Sequence, residues 1–347
     1  MQNAPSSTST MIESQQIPNE ELDSTDMRPA EPKQGKQWII SPLVDLLFIC
    51  NVAWPIVLLV ALGGETIGHE RLRFWQVYFV TAPHRWVTLL LVVGNSKRFG
   101  RHKLLYIGIA SVIVTLCVGT QIATGALTCL LLIDYLWNAW HFAAQHHGIS
   151  RLYERVGLSG GTFTNSFDKW TMRVLLLYII ARVAGAGWGG SDAKTILQVT
   201  DWLVIALVLM TITREIFFRP VFLVGRTVYL ASVYALFLTM LVCVRFEVNT
   251  LIVVVATVSA LFHASEYLVI VTWSVQKQAD RNLKEQDTLT RLAPQWLLTF
   301  GVFAVTLGLS GWAMNRHWAP IWLTANVIVA FLHYAYDGLI WRQSRAT

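Results

Sequence analysis

Charge is what this chain has little of. Only 14% of its 347 residues are Asp, Glu, Lys or Arg, against 54% hydrophobic residues and a mean hydropathy of +0.48. A water-soluble fold of this composition would have to bury nearly every helix on all sides, so the composition points to the membrane class. Cysteine is scarce as well. Cys50, Cys117, Cys129 and Cys243 each lie inside an apolar run without CxxC spacing, which argues against a disulfide framework and against a thiolate metal site. No Gly-rich phosphate loop, nucleophile elbow or HExxH motif is present. The connections GTQIATG, RFEVN and NRHW are too short for a soluble domain, which argues against nucleotide-driven work. Any chemistry must then sit inside a helix bundle or at its rims.

The first 36 residues differ in kind. They are rich in Ser, Thr, Pro, Gln and Glu, with six acidic against three basic residues, and cannot bury enough apolar surface to order themselves. Residues 1–36 are therefore expected to be a flexible cytoplasmic tail and 37–347 a transmembrane domain. The formal charge of +6 splits into about −3 on the tail and about +9 on the remainder, an excess that cytoplasmic loops explain without nucleic acid.

Taking about 20 apolar residues as a spanning length, runs fall near 39–62, 74–94, 104–123, 125–147, 171–188, 201–218, 221–244, 248–275, 293–313 and 319–341. The expected fold is all-α, a polytopic bundle of about ten transmembrane helices with both termini cytoplasmic. Seventeen Lys and Arg residues then fall on the cytoplasmic side and only Arg71, Arg73, Lys194, Arg245 and Arg316 on the other. The second, fourth, eighth and tenth spans all run from outside to inside. A two-fold transporter repeat is not evident: the first span is interrupted at Trp54-Pro55, whereas the sixth, its counterpart, has no such break.

Those four parallel spans each carry one deep histidine: His84, His141, His263 and His333. Counting to the first basic residue of the cytoplasmic segment that follows gives 13 residues from His84 to Lys97, 10 from His141 to Arg151, 14 from His263 to Lys277 and 9 from His333 to Arg342. At 1.5 Å rise per residue these depths agree within about 7 Å, so the four can meet in one layer toward the cytoplasmic side. Each has polar company at helical spacing. Asp134, Asn138, His141 and Gln145 lie on one face. Glu266 and Tyr267 follow His263, and Tyr336 and Asp337 follow His333, at i+3 and i+4. Pro83 precedes His84 and should kink its helix. Asp45 falls near the same depth, with a cap or headgroup salt bridge as the competing reading. His146 and His147 project away from the His141 face and are read as rim residues.

Carboxylates and imidazoles are costly in lipid and normally face the bundle interior and one another. Histidine with carboxylate suits iron, copper, zinc or manganese. The candidate metal ligands are His84, His141, His263, His333, Glu266 and Asp337. Asp45, Asp134, Asn138, Gln145, Tyr267 and Tyr336 are candidates for orienting them or relaying protons. Non-haem iron and haem are both compatible with these residue types, as is another transition metal. A lipid-enclosed site suits redox or oxygen chemistry on an apolar substrate, with no nucleic-acid partner. Two other classes stay open: a proton-coupled transporter or relay using Asp45, Asp134, Glu266 and Asp337, and a non-catalytic membrane scaffold.

The segments SPLVDLLF, WHFxxQHHG, HxxEYL and HYxYDxxIWR resemble patterns in a family of polytopic bacterial integral membrane proteins without an assigned activity. In general plan the chain is also similar to Brp/Blh-type carotenoid-cleaving membrane oxygenases. That similarity implies a multi-pass protein of the inner membrane, iron held by intramembrane histidines and an apolar substrate. It carries over no role for any single residue.

Overall fold

The computed structural model of the chain describes residues 35–63, 65–158, 166–185, 191–281 and 288–343. The tail expected over 1–36 therefore lies outside the described residues except for its last two. Among the described residues every regular element is helical, and no strand occurs. The principal helices are α1 (Pro42–Ile49), α2 (Trp54–Gly63), α3 (Glu70–Gly94), α4 (Lys103–Thr124), α5 (Thr128–Gly157), α6 (Ser166–Val183), α7 (Ser191–Phe217), α8 (Val224–Arg245), α9 (Asn249–Arg281), α10 (Trp296–His317) and α11 (Ala319–Gln343).

Seven helices are long and apolar enough to cross a bilayer: α3, α4, α8, α10 and the greater parts of α7, α9 and α11. The pair α1–α2, bent by 46°, makes an eighth if it counts as one span. This is fewer than the ten runs read from the sequence, because α5 and α6 are not among them. The α5 run is diluted by Asp134, Asn138, His141, Gln145, His146 and His147, and the α6 run by Arg173 and Arg182. The chain is an all-α protein with the apolar helices of a multi-pass membrane protein.

The outer surface agrees with that class. Only 11% of the apolar window of α4 is buried inside the protein, and Leu104, Val112, Leu116 and Ile122 are exposed along it. A continuous apolar surface of this kind is tolerated where lipid replaces water. Inside, the side chains form three clusters. One joins α5, α6, α8 and α9 around Tyr153, Leu175, Tyr229 and Phe237. A second joins α3, α9 and α11 around Val87, Tyr267 and Tyr336. The third joins α4, α5 and α11 around Cys117, Leu130, Phe331 and Tyr334.

Two helices carry wide π-type turns, at Asp45–Ile49 and Gln76–Thr81. The second lies directly before Ala82-Pro83, so the lost hydrogen bond expected of Pro83 is absorbed by a widened turn within α3. The first is followed by Asn51, whose φ of 51° lies in the left-handed region at the bend between α1 and α2. Close backbone approach is allowed at Gly308 of α10, where a Cβ would stand 2.6 Å from the Phe79 ring of α3.

Candidate metal centre

His84 on α3, His141 on α5 and His333 on α11 each offer a ring nitrogen, and these atoms lie within 4.8 Å of one another. All three side chains are buried. Helix packing explains the convergence: α11 packs against α3, α4 and α5, which brings the three histidine faces to one axis. One residue of each apolar cluster adjoins it: Phe142 follows His141 in sequence, and the Tyr267 and Tyr334 rings lie 5.0 Å from His84 and 5.1 Å from His141.

His141 Nε2 and His333 Nε2 face each other at 3.1 Å. Two imidazole nitrogens bound to one ion at about 2.0–2.1 Å stand about 2.9 to 3.4 Å apart for right-angle to tetrahedral geometry. Their other nitrogens are turned away. His333 Nδ1 lies 2.6 Å from the Thr88 hydroxyl, which lies 2.8 Å from the Tyr267 hydroxyl. His141 Nδ1 lies 4.0 Å from Asp337 Oδ2. For His333 this is how a ligating histidine is normally held, with the non-ligating nitrogen given to an oxygen, whereas His141 Nδ1 is too far from Asp337 for a hydrogen bond. His84 has no hydrogen-bond partner at either ring nitrogen, and neither does His263. Orphaned buried polar atoms are rare in folded proteins, and an ion in the triad would satisfy His84.

The remaining candidates are distributed around this centre. His263 on α9 borders the triad, with ring centroids 5.2 Å from His141 and 5.3 Å from His84, and its ring is stacked on Phe142. Glu266 is turned toward Asn51, which donates to it at 3.0 Å, and toward His146 at 3.3 Å. Gln145 donates to the His263 carbonyl at 2.9 Å. The Tyr334 hydroxyl lies 3.0 Å from Asp134 Oδ1 and 3.1 Å from Asn138 Oδ1, so those two residues reach the centre through Tyr334, whose ring is 5.1 Å from His141. Tyr336 donates to the Tyr106 carbonyl, away from the triad.

Asp45 is fully buried but does not join the histidines. It accepts the backbone N–H groups of Ile39, Ile40 and Ser41 and the Tyr153 hydroxyl. It is a local cap that ties the entry of α1 to α5, as the competing reading had it. His146 and His147 correct the sequence reading: both are buried, not rim residues. They do point away from the His141 face, but α5 is covered on that side too, by α6 and α8. Sequence reasoning also missed Asp201, which accepts two hydrogen bonds from Arg182 at 3.0 Å and one from Tyr178 at 2.7 Å. A further network was missed at one end of the bundle, where Arg219 pairs with Asp168 and Glu215, and Arg226 pairs with Glu215. Nothing in its sequence distinguishes that network from ordinary loop charges.

The chain matches no protein-family model, no curated protein and no solved structure. The site itself carries the functional argument. It is a buried histidine triad that can hold a metal ion, inside a bundle with the helices of a multi-pass membrane protein.

Proposed function

We propose that this protein is a metal-dependent integral membrane enzyme of the redox or oxygenase type, acting on an apolar substrate. The observation that carries the proposal is the convergence of His84, His141 and His333 from three helices, with their ligand atoms inside 4.8 Å and no water-exposed face. A purely structural histidine cluster would pair all its nitrogens with hydrogen-bonding groups; His141 and His333 can share one hydrogen, but neither nitrogen of His84 makes a well-formed hydrogen bond. Neutral imidazoles backed by Asp337 suit a divalent first-row ion, and iron is the ion that fits redox or oxygen chemistry.

The geometry favours a bare ion over haem. Opposed haem ligands stand about 4 Å apart across the iron, given Fe–N bonds near 2 Å by analogy with other imidazole complexes, and a macrocycle lies between them. Here the Nε2 atoms of His141 and His333 are 3.1 Å apart, and the His84 and His333 rings touch edge to face at 4.5 Å.

An apolar cavity of about 200 Å³ supports the substrate class. It lies between α3 and α10, lined by Leu90, Val93, Leu292, Trp296, Phe300 and Phe303. Trp296 belongs to the same apolar cluster as Tyr267, whose ring centroid lies 5.0 Å from that of His84. The relay reading receives less support, because Asp45 is taken up by backbone N–H groups and Tyr153, Asp134 by Tyr334, and Glu266 by Asn51 and His146. The basic excess on one set of loops supports placing both termini in the cytoplasm.

Elemental analysis and an absorption spectrum of the detergent-purified chain test the proposal. Co-purifying iron or another transition metal, without a Soret band, is expected, and His141→Ala should lose it while remaining folded. Wild-type protein that stays metal-free after anaerobic incubation with ferrous iron would sink the proposal.

A further inference from the structure

We infer that the outer seam between α5 and α6 binds the phosphate headgroup of an anionic phospholipid, held by Arg151, Lys169 and Arg173. This site shares no residue with the histidine triad and does not depend on the metal reading. Trp140, His147 and Arg151 are spaced i, i+7 and i+11, which puts them on one face of α5. Lys169, Trp170 and Arg173 occupy one turn of α6, and the two helices pack side by side.

The side chains of the two helices meet there. The Arg173 guanidinium carbon is 4.4 Å from the centre of the Trp140 ring and 5.6 Å from that of Trp170. The Lys169 ammonium is 5.4 Å from the Trp170 ring, and the two indoles are 6.2 Å apart. His147 is buried within electrostatic reach of Arg151, Lys169 and Arg173. Three cations and an imidazole therefore share one seam.

Like charges so gathered call for an anion, and the chain does not supply one. Among the described residues none of the three cations forms an ion pair, because the carboxylates at this end of the bundle are engaged by other arginines. Asp168 pairs with Arg214 and Arg219, and Glu154 and Glu215 pair with Arg219 and Arg226. A second sign is independent of net charge: the Nε atoms of Arg151 and Arg173 are buried and have no hydrogen-bond partner. Orphaned buried donors are rare in folded proteins. Stacking on an indole stabilises a guanidinium without giving its N–H an acceptor, and phosphate oxygens match the guanidinium fork.

The surroundings favour a lipid as the source of that phosphate. Trp140 and Trp170 are exposed on the outer surface, and so are Leu136 and Leu132, one and two turns before Trp140 on the same face of α5. A headgroup held by the cations can lay its acyl chains along this apolar track, which a soluble phosphate cannot use. Arg151 and Lys169 belong to the segments read from the sequence as cytoplasmic, and basic pockets between helices on that side suit anionic headgroups.

Native mass spectrometry of the detergent-purified full-length chain, offered phosphatidylglycerol and phosphatidylcholine with identical acyl chains, tests the site. One phosphatidylglycerol should be retained in preference to phosphatidylcholine, and the preference should weaken as salt rises. Arg173→Gln should reduce the preference roughly fivefold, and adding Arg151→Gln should reduce it further by a similar factor. Lys103→Gln, which removes an exposed charge at the start of α4, should leave it unchanged. Equal retention of the two lipids would overturn the site. So would a preference that Lys103→Gln reduces as much as Arg173→Gln does, the mark of diffuse surface charge. Displacement of the bound phosphatidylglycerol by inorganic phosphate alone would overturn the lipid as its occupant. Size-exclusion profiles identify the folded variants; where Arg173→Gln is not among them, Lys169→Gln and Arg151→Gln decide.

Discussion

His141 and His333, 192 residues apart in the chain, place their Nε2 atoms 3.1 Å from each other in the middle of the bundle. Neither nitrogen is turned toward the group that anchors its ring. His333 is fixed from behind by Thr88, and Thr88 by Tyr267. The contact therefore reports a preorganised pair of donors, held by a shell built from α3 and α9.

That arrangement makes Thr88 a positioning residue. Thr88→Val keeps the volume but removes the hydroxyl on His333 Nδ1. Metal affinity should fall by about 10–100-fold, the usual cost of losing an orienting partner, with the fold intact. Competition against a chelator of known affinity measures it. An unchanged affinity would show that packing alone orients His333.

Asp45 should behave in the opposite manner. Its carboxylate accepts three backbone N–H groups and the Tyr153 hydroxyl, and hydrogen bonds to a charged group are each worth about 1.5–3 kcal/mol. Asp45→Ala should therefore cost several kcal/mol of stability and leave bound metal per folded chain unchanged. Thermal unfolding and elemental analysis of one preparation check both halves. Loss of metal from folded Asp45→Ala protein would put Asp45 back in the histidine layer.

The convergence of the His84, His141, His263 and His333 rings was legible in the sequence because a bilayer fixes depth. With loop charge setting direction, residue counts become heights, and histidines at one height on parallel helices have few places to go. The face of Asp134, Asn138, His141 and Gln145 was legible from its period, but the partners were not: Tyr334 receives the first two, and Gln145 turns to α9. His146 was misread because a helical wheel shows direction and not what stands opposite. It lies about 100° or more from His141, where an outer helix would meet lipid, yet α8 supplies Tyr229 there. For Asp45 the sequence offered a cap as one reading, but not its partners: the N–H groups of Ile39, Ile40 and Ser41 converge on it only once the chain has bent into α1.

The charged network at the end of α8 gives a stability prediction. Arg226 is buried between Glu215 and Glu154 and hydrogen-bonds Ser150 at 3.2 Å. Removing one member of a buried ion network leaves its partners uncompensated, at a typical cost of about 3–5 kcal/mol. Arg226→Met should lower the unfolding temperature substantially while metal content per folded chain is preserved. A double replacement with Glu215→Leu should recover much of the loss. Failure of that recovery would mean that Glu215 is not the partner left stranded.

Asp168 gives the same network a pH dependence. It lies in the first turn of α6, before the apolar run that begins at Thr171, and pairs with Arg219 and Arg214. Burial pushes its carboxyl up, but the Arg219 and Arg214 guanidinium groups outweigh burial and hold it below its ordinary value of 3.8. The unfolded chain therefore takes up this proton at a higher pH than the folded one. The stabilisation is fully present above that ordinary value and is lost as pH falls through it toward the folded value. Asp168→Asn removes the titration, so wild type should unfold at the higher temperature at neutral pH. The gap should then narrow below about pH 4, where the wild-type carboxyl is protonated in the unfolded chain. Unfolding curves of the two proteins across that range check the sign, and a gap that widens on acidification would exclude Asp168 as the group responsible.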